Sequence, residues 1–114
     1  MTLGDRQRLF HKLQTELMAW CYATHPEWEF TDGDAYRDPR VHGEYGEKKS
    51  YSSSLSMHKQ RLARDYNLFI NGEYQTTTEA WREIGEHWEG MHELCSWGGR
   101  FGDGNHLSFG EHVS

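Results

Sequence analysis

Tyr66-Asn-Leu-Phe-Ile70 is a β-prone run that stops at Asn71-Gly72. An Asn-Gly pair after an apolar run favours a type I′ reversal, which sends the chain back antiparallel to itself. A second reversal is expected near the C-terminus. There Leu94-Cys-Ser-Trp97 reads as a strand running into Gly98-Gly99, and His106-Leu-Ser-Phe109 as its antiparallel return. Trp28 and Phe30 alternate with Glu27, Glu29 and Thr31, the pattern of a short half-buried strand.

Two helices accompany these strands. From about Asp5 to Tyr22, Leu9, Phe10, Leu13, Leu17, Trp20 and Cys21 recur at spacings of three and four, with Asp5 as the expected N-cap. Its expected role is purely structural. Thr76-Thr-Thr-Glu79 fits a capping box that opens a second helix, traced by Ala80, Trp81, Ile84, Trp88 and Met91 to about His92. The expected fold is α+β: a small, mainly antiparallel sheet with flanking helices, in one domain over residues 1–114.

Only 35% of the residues are hydrophobic, yet 14% are aromatic, so the core must be built from a few large rings. A net charge of −6 argues against nucleic acid as a partner, since that needs a basic footprint. No apolar run approaches the roughly 20 residues of a membrane span, and the N-terminus lacks the apolar stretch of a signal peptide. Cys21 and Cys95 sit among apolar residues without CxxC spacing. Two buried free thiols are expected, with a disulfide as the alternative.

Between Asp32 and Ser54 the periodicity dissolves into glycines and serines, with a helical turn expected near Asp38–Gly43. Arg37 and Arg40 lie in this stretch, where a guanidinium can grip a carboxylate bidentately or simply be solvated.

The chemistry-bearing residues fall in two stretches. Ser56-Met-His-Lys-Gln-Arg-Leu-Ala-Arg-Asp65 carries His58 and Asp65. Trp97-Gly-Gly-Arg-Phe-Gly-Asp-Gly-Asn-His106 adds His106 and, three residues before it, the carboxylate of Asp103. Two histidines and one carboxylate on Zn²⁺, with water in the fourth position and a further carboxylate nearby, form the ligand pattern of a hydrolytic site. His87 and His92 belong to the second helix and are expected to be structural or exposed.

Taken together, Ser56, His58, Ala63, Asp65, Trp97, Gly98, Gly99, Asp103 and His106 resemble the motifs of the D-alanyl-D-alanine carboxypeptidase family of zinc peptidases. That family includes the VanY and VanX enzymes and phage endolysins that cut the L-alanyl-D-glutamate bond of peptidoglycan. The resemblance extends more loosely over residues 34–109 and is nearest the compact endolysin type. It implies Zn²⁺ held by His58, Asp65 and His106, with Asp103 as general base. It also implies Arg37 on a carboxylate of the stem peptide and Ser56 orienting the site, while Trp97 is read either as a wall of the site or as a core tryptophan. Three positions depart from the family pattern: His42 or Glu44 stands where a Gln is usual, Arg61-Leu62 where a Gly is usual, and Leu107 where an aromatic is common.

The resemblance therefore implies a monomeric endopeptidase acting on peptidoglycan stem peptides, made in a host cytoplasm without a signal peptide and released to the wall. A D-Ala-D-Ala carboxypeptidase is an alternative with the same metal chemistry. A non-catalytic, zinc-stabilised binding domain is a third possibility. The acidic net charge offers no long-range attraction to an anionic wall, so affinity is expected to come from the groove.

Overall fold

The computed structural model describes residues 1–33 and 60–110. The chain runs α1 (Leu3–Thr24), β1 (Trp28–Asp32), β2 (Ala63–Ile70), β3 (Glu73–Tyr74), α2 (Arg82–Met91), β4 (Cys95–Trp97) and β5 (His106–Phe109). Short 3₁₀ turns at Glu79–Trp81 and Gly98–Phe101 precede α2 and follow β4. This is the expected α+β architecture. The helical turn anticipated near Asp38–Gly43 lies outside the described residues.

The first helix begins earlier than its sequence signal. The Thr2 hydroxyl accepts from the Asp5 N–H at 3.1 Å, and the Asp5 carboxylate accepts from the Thr2 N–H at 3.0 Å. Asp5 is thus the far half of a reciprocal capping box whose N-cap is Thr2. The start of α2 also differs from expectation. Thr77, not Thr76, accepts from a backbone N–H, that of Ala80 at 3.2 Å, and the chain then winds through the 3₁₀ turn. Three consecutive threonines offer the same hydroxyl, and residue type alone does not choose among them.

The sheet order is β1-β2-β5-β4, with β3 also paired to β2 and all pairings antiparallel. Long β2 is the spine: Tyr66–Ile70 pair with Asp32–Trp28, and Ala63–Asp65 pair with Ser108–His106. Asn71 and Gly72, at φ 52° and 82°, supply the two left-handed residues that a type I′ turn requires.

Rings fill the core. Trp88 and Phe109 are fully buried, and Phe10 meets Trp88 edge-on with centroids 5.8 Å apart. The Trp88 Nε1–H donates to the carbonyls of Ser96 (3.2 Å) and Ser108 (3.1 Å), which are cross-strand partners on β4 and β5. One indole therefore fastens α2 to the end of the sheet that carries His106. Cys21 and Cys95 are buried free thiols, as expected. No helix among the described residues is long and apolar enough to cross a membrane.

Candidate metal centre

Asp65 on β2 and His106 on β5 are directly opposed in the antiparallel register, which puts both side chains on the same face of the sheet. Each residue is 4% exposed, and His106 Nδ1 lies 3.0 Å from Asp65 Oδ1. The pairing is held just beyond by Tyr66 N–H donating to the Asn105 carbonyl (3.2 Å) and Asn105 Nδ2–H donating to the Tyr66 carbonyl (3.0 Å).

Asp103 reaches this pair from the turn between the second 3₁₀ segment and β5. Its N–H donates to the Gly98 carbonyl at 2.9 Å, and its own carbonyl accepts from the His106 N–H at 3.2 Å. Glycine is needed at 98, because a Cβ there would lie 2.5 Å from the Asp103 carbonyl oxygen and 2.9 Å from the His106 Cβ. One ligand atom each from Asp65, Asp103 and His106 falls within 4.8 Å of the others.

This donor set suits a metal ion. Imidazole nitrogen and carboxylate oxygen are zinc ligands, and at about 2.0–2.1 Å from a tetrahedral ion two such atoms lie about 3.3 Å apart. The Nδ1–Oδ1 separation of 3.0 Å is already close to that spacing. The facing atoms are held by a strand pairing, a rigid mount for ligands.

Trp97 is a core residue, 3% exposed, rather than an open wall. Its Nε1–H donates to the Gly104 carbonyl at 2.7 Å, so it braces the turn next to Asp103 from behind. Glu89 of α2 completes the brace. It accepts from the Trp97 N–H (3.2 Å) and takes Arg100 in a fork, with Nη2 2.6 Å and Nε 3.1 Å from its two oxygens. That guanidinium, foremost among the causes, holds the Glu89 carboxyl below the ordinary range.

Two features here escaped the sequence reading. Arg61 adopts φ 59°, the left-handed conformation that favours glycine. The polar side of α1, expected to be without function, lines a cavity of about 610 Å³ beside Asp65, with Arg8, His11 and Gln14 facing Arg61 and Arg64. A smaller cavity of about 300 Å³ is lined by Tyr74, Thr76, Thr78 and Asp103. Only a glycine at the first position and a contact map for the second would have given these away from sequence.

His87 stacks on Trp20 at 3.8 Å, and His92 Nδ1 accepts from the Leu94 N–H at 3.0 Å, so both histidines have the structural roles expected of them. Of the sequence-predicted site, Asp65, Asp103 and His106 converge. Arg37, Arg40, Ser56 and His58 lie outside the described residues. Comparison with protein-family models, with curated proteins and with solved structures finds no match.

Proposed function

We propose that the protein is a zinc-dependent peptidase that cleaves peptidoglycan stem peptides, an endopeptidase of the L-alanyl-D-glutamate type. The observation that carries this reading is the convergence of Asp65, Asp103 and His106 within 4.8 Å from segments about forty residues apart in the chain. The sequence motif requires that same convergence, and chance placement of three such side chains does not.

Asp65 and His106 are assigned as ligands, with His58 as the third, and Asp103 as the general base. When bound, Zn²⁺ supplies a Lewis acid and a water acidic enough to ionise near neutral pH. Asp103 takes the proton of the attacking water. As the C–N bond breaks, it returns that proton to the departing amine, leaving a free carboxylate and a free amine. Asp65 and His106 are sealed at 4% exposure, whereas Asp103 is only half-buried and borders the smaller cavity. The division of labour follows that burial: ligands sealed, base accessible.

The test is digestion of purified peptidoglycan by the zinc-loaded protein, with the new amino termini identified by mass spectrometry. New L-alanyl carboxyl ends paired with D-glutamyl amino ends are expected. Release of terminal D-alanine instead would make it a carboxypeptidase. No hydrolysis of any peptidoglycan would leave a zinc-stabilised binding domain.

A further inference from the structure

Arg61 combines three properties that do not ordinarily meet in one surface residue. Its φ of 59° lies in the left-handed region, where a non-glycine residue stores strain. Its guanidinium is exposed and makes no hydrogen bond or ion pair among the described residues, whereas its neighbours are engaged: Arg8 with Asp5 at 2.5 Å and Arg64 with Asp32 at 2.7 Å. It also stands at the rim of the 610 Å³ cavity that has Asp65 in its wall. The turn bearing it is tied to α1, because the Gln7 Nε2–H donates to the Gln60 carbonyl at 2.7 Å. Arg61 is therefore held beside the cavity by its backbone, without a partner among the described residues that would explain its place.

Gln14 of α1 stands in the same wall. It is 5% exposed, and its Oε1 accepts from the Tyr66 hydroxyl, yet its Nε2 has no hydrogen-bond partner among the described residues. A buried amide donor left unsatisfied costs free energy, and each such group in a folded protein calls for an explanation. Asp32 and Asp65 also line the cavity, and Arg8 and Arg64 are paired with Asp5 and Asp32, so Arg61 is the lining cation that has no ion pair among the described residues.

The geometry points to this cavity as a carboxylate-binding subsite of the substrate groove, with Arg61 as the substrate-binding residue that reads the charge. The inference rests on the peptidase reading for the identity of the ligand, a peptide carboxylate beside the scissile bond. An arginine fork takes a carboxylate through two parallel N–H···O bonds, which a carboxamide cannot match. Arg61 would then keep a conformation that suits glycine because a glycine could not bind the ligand.

The experiment is an NMR titration of the metal-free protein with N-acetyl-L-alanyl-D-glutamic acid and, separately, with its diamide. Wild type is expected to bind the acid roughly tenfold or more tightly than the diamide, as charge-assisted hydrogen bonds typically allow. Arg61→Gly fits the observed φ and folds, and it should lose that preference; Arg61→Lys, charged but without the fork, should keep part of it. An undiminished acid preference in Arg61→Gly, or no preference in wild type, overturns the assignment. Acetate binding as tightly as the dipeptide would reduce the cavity to a general anion site and overturn the peptide assignment as well. Wall digestion is scored separately. Acid preference without hydrolysis removes the peptidase reading and keeps the subsite, and hydrolysis without acid preference does the reverse.

Discussion

Asp103 is close enough to Asp65 and His106 to act either as a metal ligand or as a base, and a single substitution separates the two roles. Asp103→Asn keeps the shape and most of the hydrogen bonding but cannot accept a proton. As the base, it should cost on the order of 100- to 10,000-fold in kcat with zinc content and Tm nearly unchanged. Loss of zinc in parallel with activity, measured by elemental analysis of the purified variant, would make Asp103 a ligand instead. Arg61 carries a different kind of prediction. Left-handed backbone costs a non-glycine residue about 1–2 kcal/mol, and glycine's greater freedom in the unfolded chain takes back about 0.5–1 kcal/mol. Arg61→Gly should therefore raise stability by about 0.5–1 kcal/mol in a urea melt. An unchanged or lowered midpoint would mean that the arginine stabilises its turn through packing.

On α2 two effects compete at Gly85, and magnitude decides between them. Replacing a helical glycine by alanine ordinarily gains about 1 kcal/mol. Here the new Cβ would lie 2.1 Å from the Trp97 indole, and overpacking a buried ring costs about 1–3 kcal/mol or more. Gly85→Ala should thus destabilise, and because the indole holds Gly104, it should also disturb Asp103 and lower activity. Gly90→Ala on the same helix meets nothing within 4 Å and should be neutral or stabilising, so the pair of melts isolates the indole contact. Elements of this kind were only partly legible in the sequence. The strands around Asn71-Gly72 and Gly98-Gly99 were readable because alternation and turn residues are local signals. So was the placement of Asp103 in a turn with His106 opening a strand. The Arg8–Gln14–Arg61 cavity was not, because it forms where α1 meets a turn about fifty residues later, and no local pattern records that meeting. Thr2 and Asp5 share one capping box and either type can cap, so residue type alone does not choose between them.

Across the whole molecule, burial raises both thiols to about 12. Cys21 and Cys95 should resist thiol reagents at pH 8 until the fold opens, so their labelling rate reports opening of the core. Glu89 and His25 contribute to how stability varies with pH, with opposite signs. The folded pKa of Glu89 is depressed, first by the hydrogen bond from Arg100, so its contribution is complete above its ordinary value of 4.5 and is lost as pH falls through the folded value. His25 has the opposite sign. It ends α1, stacks on Trp28 at 3.8 Å, and places Nε2 2.7 Å from Glu83 on α2 and Nδ1 3.4 Å from Glu27. The hydrogen bond to Glu83 is the largest cause of its raised pKa, so its stabilisation is complete below the ordinary 6.5 and is lost as pH rises through the folded value. Stability from these two groups is therefore greatest between about pH 4.5 and 6.5. The exposure of Glu83 makes the His25 share modest and sensitive to salt. Melting wild type and His25→Gln without metal at pH 5.5 and pH 8 isolates it, because the other titrating groups cancel in the double difference. Wild type should lose more stability over that interval than His25→Gln, and 1 M salt should shrink the gap. An equal loss in both proteins would show that the α1–α2 tie through His25 does not contribute in solution.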